Sequence, residues 1–519
     1  MNYYNLLKKI WVVPVILIMA SCDLDIEGTD SVIVESEGDG TFGGVASVQS
    51  SVNDLYNSLY GQLESQENFF ALNEVTTEEF LVPTRGTDWG DNGIWRTLHA
   101  HTWGASHQYV LNVWNGFNQN VFRATQVIDE RSTTDRTDAL IAQAKFLRAF
   151  SMWVILDHYG VAPFRGVDDG PEVIPTVLSR TEAMQFVIND LNEAIPDLPT
   201  RGPSADNNRA SKAAARMLLA KVLLNAHIYD GSGSPSNANM QEVIDLVDDI
   251  AADGFALQAG YFELFESSVD NETIWYANAS VGNRIWNGLH YNMNAPGEND
   301  GGGWNGFSTL AEFYDLFEGD ANTNVPGSGQ EERRGFVATP AEASEDNLGM
   351  GIGFLIGQQY DSDGSALTDR PGSPLVFTKE LPALTGNNER TGIRVLKYHP
   401  KNGAFTSHEI IFRYADAHLM KAEAMMRMGG DPSAMVDELR TLRNATPLGT
   451  VTEQDLIDER GRELYMEFWR RNDLVRFGQF TKNWEFKDPI SIDDANRNLF
   501  PIPADALLSN PNLEQNPGY

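Results

Sequence analysis

The sequence predicts a mainly α-helical protein in which paired helices support two long irregular regions. Several Ala-, Leu- and Met-rich segments place apolar residues at helical spacing. Residues 254–408 differ, because they are rich in Gly, Asn, Asp and Trp and contain only short alternating runs such as 392–398. With 519 residues, 42% of them hydrophobic, the chain can build a large core as one helical globule or as two intergrown halves.

The first 21 residues have the pattern of a signal peptide. Two lysines precede an apolar stretch at residues 10–20, which is shorter than the ~20 residues of a membrane span. Small Ala20 and Ser21 then lead into Cys22, the single cysteine of the chain. This order is similar to a lipobox, in which the cysteine sulfur carries a diacylglycerol and begins the mature chain.

Residues 22–51 are predicted to be a flexible, lipid-anchored tether, because they are acidic and lack sustained apolar periodicity. The whole chain has 73 acidic and 38 basic residues, a net charge of −35. Such a surface repels anionic lipid headgroups, so membrane attachment must come from the lipid alone. The same charge repels phosphate backbones and excludes nucleic acid as a partner.

Three long segments have the composition of nearly buried helices: 139–159, 211–229 and 409–428. Each is followed by a shorter amphipathic segment: 181–195, 240–252 and 432–443. Ser211 is placed as an N-cap, and Gly160 and Gly429 are placed as C-terminal stops. The repeated pairing predicts stacked helical hairpins of tetratricopeptide type, although the spacing is too irregular for a strict repeat.

Several segments of the chain resemble the SusD/RagB family of outer-membrane nutrient-binding lipoproteins. Residues 500–519 (FPIPADALLSNPNLEQNPGY) and 459–478 (ERGRELYMEFWRRNDLVRFG) are similar to its C-terminal part. Three more segments resemble its core helices: 144–160, 211–224 and 412–425. Residues 83–103 (PTRGTDWGDNGIWRTLHAHTW) resemble one of its N-terminal loops. The matches follow the family's order and extend over essentially the whole mature chain.

The resemblance implies a fold of four tetratricopeptide-like hairpins, an α–α superhelix that cradles an irregular remainder. It implies an N-terminal region, 52–265, and a C-terminal region, 266–519, intergrown into one globule. It also implies a position at the exterior face of a Gram-negative outer membrane and a partnership with a SusC-like TonB-dependent transporter. The expected function is to capture oligo- or polysaccharide and deliver it to that transporter.

A glycan site requires exposed aromatic rings with polar side chains around them, because sugars present flat apolar faces ringed by hydroxyls. The two irregular regions contain such sets, and in SusD-like proteins these regions contribute to ligand recognition. The candidate rings are Trp89, Trp95, Trp286, Tyr291 and Trp304. The candidate polar contacts are Arg85, Asp91 and Asn287. Loop packing is the alternative for each ring, and four tryptophans on helical patterns are predicted to be core residues: Trp103, Trp114, Trp153 and Trp469.

Two clusters of ionisable residues are predicted to be structural. Glutamates recur every four residues along one predicted helix face, with arginines between them, at Glu459, Glu463 and Glu467. This pattern is typical of ion-paired helix packing rather than of a catalytic carboxylate pair. Three histidines lack a further ligand at metal-site spacing: His99, His101 and His107. We expect no catalytic residue, no metal and no cofactor.

Three other functions are compatible with the sequence. A member of the same family that captures peptide would keep the anchor and the transporter and change only the cargo. A glycoside hydrolase would turn over the glycan that it binds. A tetratricopeptide scaffold that binds only proteins would use a concave helical groove and would not depend on loop tryptophans.

Overall fold

A computed structural model describes residues 34–36, 42–170, 172–266, 269–293, 302–319, 322, 329–402 and 407–519. The helices in these ranges are α1 (Val48–Glu64), α2 (Asn68–Phe70), α3 (Ile94–His99), α4 (Gln108–Ile128), α5 (Asp138–Tyr159), α6 (Arg180–Ala194), α7 (Lys212–Leu224), α8 (Ala226–Tyr229), α9 (Asn237–Ala252), α10 (Gly282–Gly288), α11 (Ala311–Tyr314), α12 (Tyr414–Arg427), α13 (Ser433–Leu442), α14 (Glu453–Leu464), α15 (Arg470–Arg476) and α16 (Ala504–Ser509).

The strands in the same ranges are short and form small antiparallel sheets. They are β1 (Val34–Ser36), β2 (Phe42–Val45), β3 (Val161–Phe164), β4 (Thr176–Ser179), β5 (Thr273–Ser280), β6 (Gly335–Phe336), β7 (Ile352–Leu355), β8 (Gly357–Gln358), β9 (Val376–Phe377), β10 (Arg394–Leu396) and β11 (Ser407–Arg413). The pairs are β1–β2, β3–β4, β5–β11 and β8–β9, and β7 lies between β6 and β10. The mainly helical fold class with short strands is thereby confirmed.

The three predicted helix pairs pack as expected: α5 with α6, α7 with α9, and α12 with α13. The predicted cap signals also hold. The Ser211 hydroxyl accepts a hydrogen bond from the backbone N–H of Ala214, which satisfies a free donor at the start of α7. Gly160 ends α5 at a φ of 73°, a left-handed conformation that glycine adopts without steric cost.

Two predicted boundaries are wrong. The sequence predicts a tether that extends to Ser51, but β2 and α1 begin earlier, since Val48 and Val52 are buried and fix the start of α1 in the core. The helix predicted over 409–428 begins only at Tyr414, because the preceding apolar residues form β11, which pairs with β5. The signal peptide and Cys22 lie outside the described residues.

The core is centred on α5, a 22-residue helix that is long and apolar enough to cross a membrane but is mostly buried within the protein. Its Trp153 ring lies 5.8 Å from that of Trp469, and the Trp275 ring packs between Phe146 and Phe150. The four tryptophans predicted to be core residues are all buried: Trp103, Trp114, Trp153 and Trp469.

The predicted ion-paired packing is confirmed and is more extensive than the helix pattern indicates. Glu463 Oε1 accepts hydrogen bonds from Arg413 Nη1 at 2.7 Å and Arg443 Nη2 at 2.8 Å, and Glu463 Oε2 accepts one from Arg333 Nη1 at 3.1 Å. We define the buried ion-pair cluster as these fully buried residues and their partners: Glu272, Arg333, Arg413, Arg443, Glu459, Glu463 and Glu467. Glu467 lies beyond the end of α14, so only the first two of the three glutamates share a helix.

Candidate functional site

The two irregular regions meet at one surface. Leu81 and Ser308 exchange backbone hydrogen bonds of 2.9 Å each, and the Gly86 N–H donates to the Asn387 carbonyl at 2.9 Å. Thr309 forms a further bridge to Ile393. The segment that contains Trp89 is therefore inserted between residues 304–309 and 384–393, although it is more than two hundred positions away in sequence.

Three of the candidate rings lie together at this junction. The Trp89 indole N–H donates to the Trp304 carbonyl at 2.7 Å, and the Tyr291 hydroxyl donates to Asp88 Oδ2 at 2.7 Å. All three rings are half-buried, so each keeps part of its surface in solvent. We call Trp89, Tyr291 and Trp304 the aromatic patch.

The backbone at Trp89 is unusual. Its φ of 59° is left-handed, a conformation that is strained for a bulky residue and costs about 1–3 kcal/mol. Two contacts hold it there: the Thr84 hydroxyl donates to the Trp89 carbonyl at 3.1 Å, and the ring packs on the buried Trp95 at a centroid distance of 6.1 Å. Strain of this kind concentrates at functional sites, which supports a role for the exposed part of Trp89.

A charged network borders the aromatic patch. The Arg370 guanidinium lies 3.8 Å from the centre of the Tyr291 ring and pairs with both Asp88 and Glu389. The pKa of Asp88 is lowered, first by the hydrogen bond from Tyr291 and then by Arg370, so this carboxylate stays ionised at neutral pH. The network is open to solvent, since the Arg370 side chain is 49% exposed.

Glu389 is also held by hydrogen bonds that do not involve the Arg370 side chain. Its Oε2 accepts from the Arg370 backbone N–H at 2.9 Å and lies 3.1 Å from His290 Nε2. The other ring nitrogen of His290 accepts from the Asn292 N–H, so Nε2 carries the proton and donates to Glu389. Burial lowers the pKa of His290 to about 4, which keeps this ring neutral at pH 7.

Two rings predicted to contact ligand are core residues instead. Trp95 is 2% exposed and packs edge-on against Tyr109 and Phe307, beneath Trp89. Trp286 is 1% exposed, and its carbonyl accepts a hydrogen bond from the Trp304 N–H. Neither offers a ring face to a sugar, because α3 and α10 each turn the indole towards the interior.

Two of the three predicted polar contacts also support the site from within. Arg85 is 2% exposed and donates to the Thr391 carbonyl at 2.6 Å and to Ser308 Oγ at 2.8 Å. Asn287 is fully buried, and its Oδ1 accepts from the Phe307 N–H at 2.8 Å. Asp91 is exposed two residues after Trp89, so its role as a ligand contact stays a prediction.

The described residues were also compared with the requirements of a metal site. Among them, no three His, Cys, Asp or Glu side chains are grouped so that they can hold a metal ion. The histidines at 99, 101 and 107 are buried and bond to backbone carbonyls, and burial lowers the pKa of each.

Comparison with known proteins assigns the family. The profile of the "SusD family" matches residues 271–519, and a profile described as "Starch-binding associating with outer membrane" matches residues 33–224. The chain belongs to the SusD family. The "Starch-binding protein SusD" of Bacteroides thetaiotaomicron is 29% identical over 511 residues, which cover 89% of this chain and 88% of that protein.

Solved structures of SusD-like proteins share the fold. A SusD-like protein from Bacteroides fragilis superposes with a TM-score of 0.70 at 20% identity, covering 91% of this chain and 96% of its own. "Surface glycan-binding protein A" from B. thetaiotaomicron, solved in complex with laminarihexaose, gives a TM-score of 0.65 at 17% identity, with 90% and 98% covered.

Sequence reasoning missed two arginines of this candidate site. Arg370 follows an ordinary turn sequence, and nothing in its neighbourhood marks it as a partner of Tyr291. Arg394 is fully buried and donates to Asn305 Oδ1 at 2.7 Å and to the Glu389 carbonyl at 2.8 Å. These contacts hold the backbone of Glu389 in place within the charged network. A charge inside the apolar run 393–396 is the signal that identifies it.

Proposed function

We propose that this protein captures glycan at the outer-membrane surface through the aromatic patch and delivers it to a SusC-like TonB-dependent transporter. Family membership supports this function. The observation that carries the proposal is the convergence of three partly exposed rings and a charged network at one junction, since this is the chemistry that a sugar face and its hydroxyls require.

The patch is large enough for the affinity that capture requires. A sugar face stacked on one ring buries on the order of 50–100 Å², worth roughly 1–2.5 kcal/mol at ~25 cal/mol per Å². Three rings then supply about 3–7.5 kcal/mol, whereas millimolar to micromolar binding requires about 4–8 kcal/mol. Hydrogen bonds to Asp88, Asp91 and Glu389 provide the remainder.

The membrane attachment that we propose is the lipid on Cys22. The lipobox-like order at residues 20–22 supports it, as does the net charge of −35, which disfavours any electrostatic attachment. In cells that express the full chain, Cys22→Ala is expected to lose labelling by palmitate and to release the protein from the membrane fraction. Retention of the variant in the outer membrane would contradict the lipid anchor.

The binding proposal is tested by calorimetry of the mature protein with maltohexaose, laminarihexaose and a panel of peptides. Trp304→Ala is expected to weaken glycan binding by about 5- to 70-fold, the loss of one stacked face, with little change in melting temperature. Tyr276→Ala removes a half-buried ring outside the patch and serves as the matched control. Peptide binding without glycan binding would favour peptide capture, and release of reducing ends would indicate a hydrolase.

A further inference from the structure

Tyr291 is one of the three rings of the aromatic patch, and the side chain of Arg370 already covers it. The Arg370 guanidinium lies 3.8 Å from its centre, the distance of direct cation–π contact. A sugar face cannot occupy the same position above the ring at the same time. We propose that Arg370 is a latch that covers Tyr291 in the free protein and is displaced when a neutral glycan binds; this inference rests on the proposed function of the patch.

The latch is held by contacts that can be released without disturbing the loop. The side chain of Arg370 pairs with Asp88 and Glu389, and it is 49% exposed. Its backbone N–H donates separately to Glu389, which also accepts a hydrogen bond from His290 Nε2–H. The guanidinium can therefore rotate into water while the backbone of residues 369–370 keeps its position.

The energy that holds the latch is small enough for a ligand to overcome. Exposed ion pairs and exposed cation–π contacts are each weak, and the surface pairs are screened by salt. The buried arginines of the ion-pair cluster differ, because their carboxylate partners are inaccessible to water and to ions. The Arg370 side chain can therefore leave its ion pairs with Asp88 and Glu389 while the fold stays intact.

Release of Arg370 also sets the class of ligand. It exposes the carboxylates of Asp88 and Glu389 beside the free Tyr291 face, and Asp91 lies nearby in sequence. Carboxylates accept hydrogen bonds from hydroxyl groups and repel other carboxylates. The opened site therefore favours an uncharged glycan over one that contains uronic acid.

The experiment compares the wild-type protein with Arg370→Ala and Arg370→Lys at low and high salt, with maltohexaose, laminarihexaose and a galacturonate hexamer as probes. Arg370→Ala is expected to bind a neutral probe about 3- to 30-fold more tightly, because no latch has to open. Wild-type affinity should rise with salt, and that of Arg370→Ala should not. Arg370→Lys should be intermediate, since an ammonium cannot bridge both carboxylates as a guanidinium does.

Arg390→Ala is the matched control. Arg390 lies 3.0 Å from Asp369 in the same region, but this ion pair does not involve a ring of the patch. Its removal should leave both affinity and salt dependence unchanged.

The other outcomes overturn the latch, the ligand class or the proposed function. Weaker binding by Arg370→Ala would show that Arg370 contacts the glycan directly, and unchanged binding would show that it does not obstruct the ring. Tighter binding of the galacturonate probe than of both neutral probes would overturn the ligand class. If Trp304→Ala abolishes binding but Arg370→Ala has no effect, only the latch fails. If neither the wild type nor Arg370→Ala binds any probe, the proposed function fails with it.

Discussion

The buried ion-pair cluster and the network around Arg370 use the same guanidinium–carboxylate chemistry in two different environments. In the cluster, Arg333, Arg413 and Arg443 converge on Glu463, and all four side chains are fully buried. At the aromatic patch, one half-exposed arginine bridges two carboxylates above a ring. The same contact is structural where water is excluded and rearrangeable where water can replace it.

The difference follows from desolvation. A buried carboxylate that loses its partners has no water to replace them, so the cluster must form completely or not at all. Its members join α14, the end of β11 and the C-terminal end of α13 to the residue before β5 and to the irregular segment at Arg333, which explains how a helical frame fixes so irregular a region. An exposed pair carries no such penalty, so it can serve as a reversible contact.

The largest expected effect is the loss of Glu463. Glu463→Ala leaves three buried guanidiniums without their common acceptor and should destabilise the protein by about 3–5 kcal/mol, measured by urea unfolding. Glu193→Ala removes a carboxylate whose pair with Lys145 is exposed, and should cost less than about 1 kcal/mol. Similar losses for the two variants would break the distinction between the buried and exposed pairs.

The second test compares Trp286, which is a core residue, with Trp304, which belongs to the aromatic patch. Trp286→Ala empties a fully buried position and should cost about 3–5 kcal/mol of unfolding free energy. Trp304→Ala removes a half-buried ring, so its main effect should be on glycan binding rather than on stability. A normal melting temperature for Trp286→Ala would contradict its assignment to the core.

Glu74 and Glu79 form a second buried set of acids, whose carboxylates accept hydrogen bonds from backbone N–H groups, and they sharpen the comparison. Glu79 Oε1 accepts from the Met466 N–H, and Glu74 Oε1 accepts from the Phe468 N–H. Burial raises the pKa of Glu74 to about 7, and burial together with Glu74 raises the pKa of Glu79 well above its usual range. Arginines instead hold the pKa of the equally buried Glu463 well below its usual range. The two sites therefore respond to pH in opposite directions.

Proton binding by Glu74 and Glu79 determines whether the unfolding free energy rises or falls with pH. The folded state binds more protons than the unfolded chain above the ordinary Glu pKa of ~4.3, so stability falls as pH rises through 7. Glu79→Gln keeps the acceptor for Met466 and removes one titrating group. Its unfolding free energy should decline less steeply from pH 5 to pH 8, by up to about 1.4 kcal/mol per pH unit. Parallel curves for Glu79→Gln and the wild type would contradict the raised pKa, and Glu193→Gln should give such a parallel curve.

Residue patterns predicted the helical frame well because it is encoded locally. The caps at Ser211 and Gly160 and the long apolar segments each depend on neighbours within a few positions. The sequence does not predict β11, because its apolar residues also suit a buried helix, and only the pairing with β5 decides between a strand and a helix.

The site could be predicted only in part. The sequence indicated the two regions that meet and the three rings of the patch, but composition does not show which way a ring points. Trp89 and Trp95 lie six residues apart in sequence, yet Trp89 is partly exposed and Trp95 is buried. The contact of Arg370 with Asp88 joins positions 282 residues apart, and no local signal specifies it.

The smallest expected effect on stability is that of Arg370→Ala, and it completes the comparison. Both of its ion pairs are accessible to solvent, so the variant should lose less than about 1 kcal/mol of unfolding free energy, and less still at high salt. Glu463→Ala should keep its large loss at any salt concentration, because ions do not reach the cluster. Unfolding of both variants at low and high salt measures this directly. A large, salt-independent loss for Arg370→Ala would mean that its contacts hold the loop in place, and a side chain needed for folding cannot act as a latch.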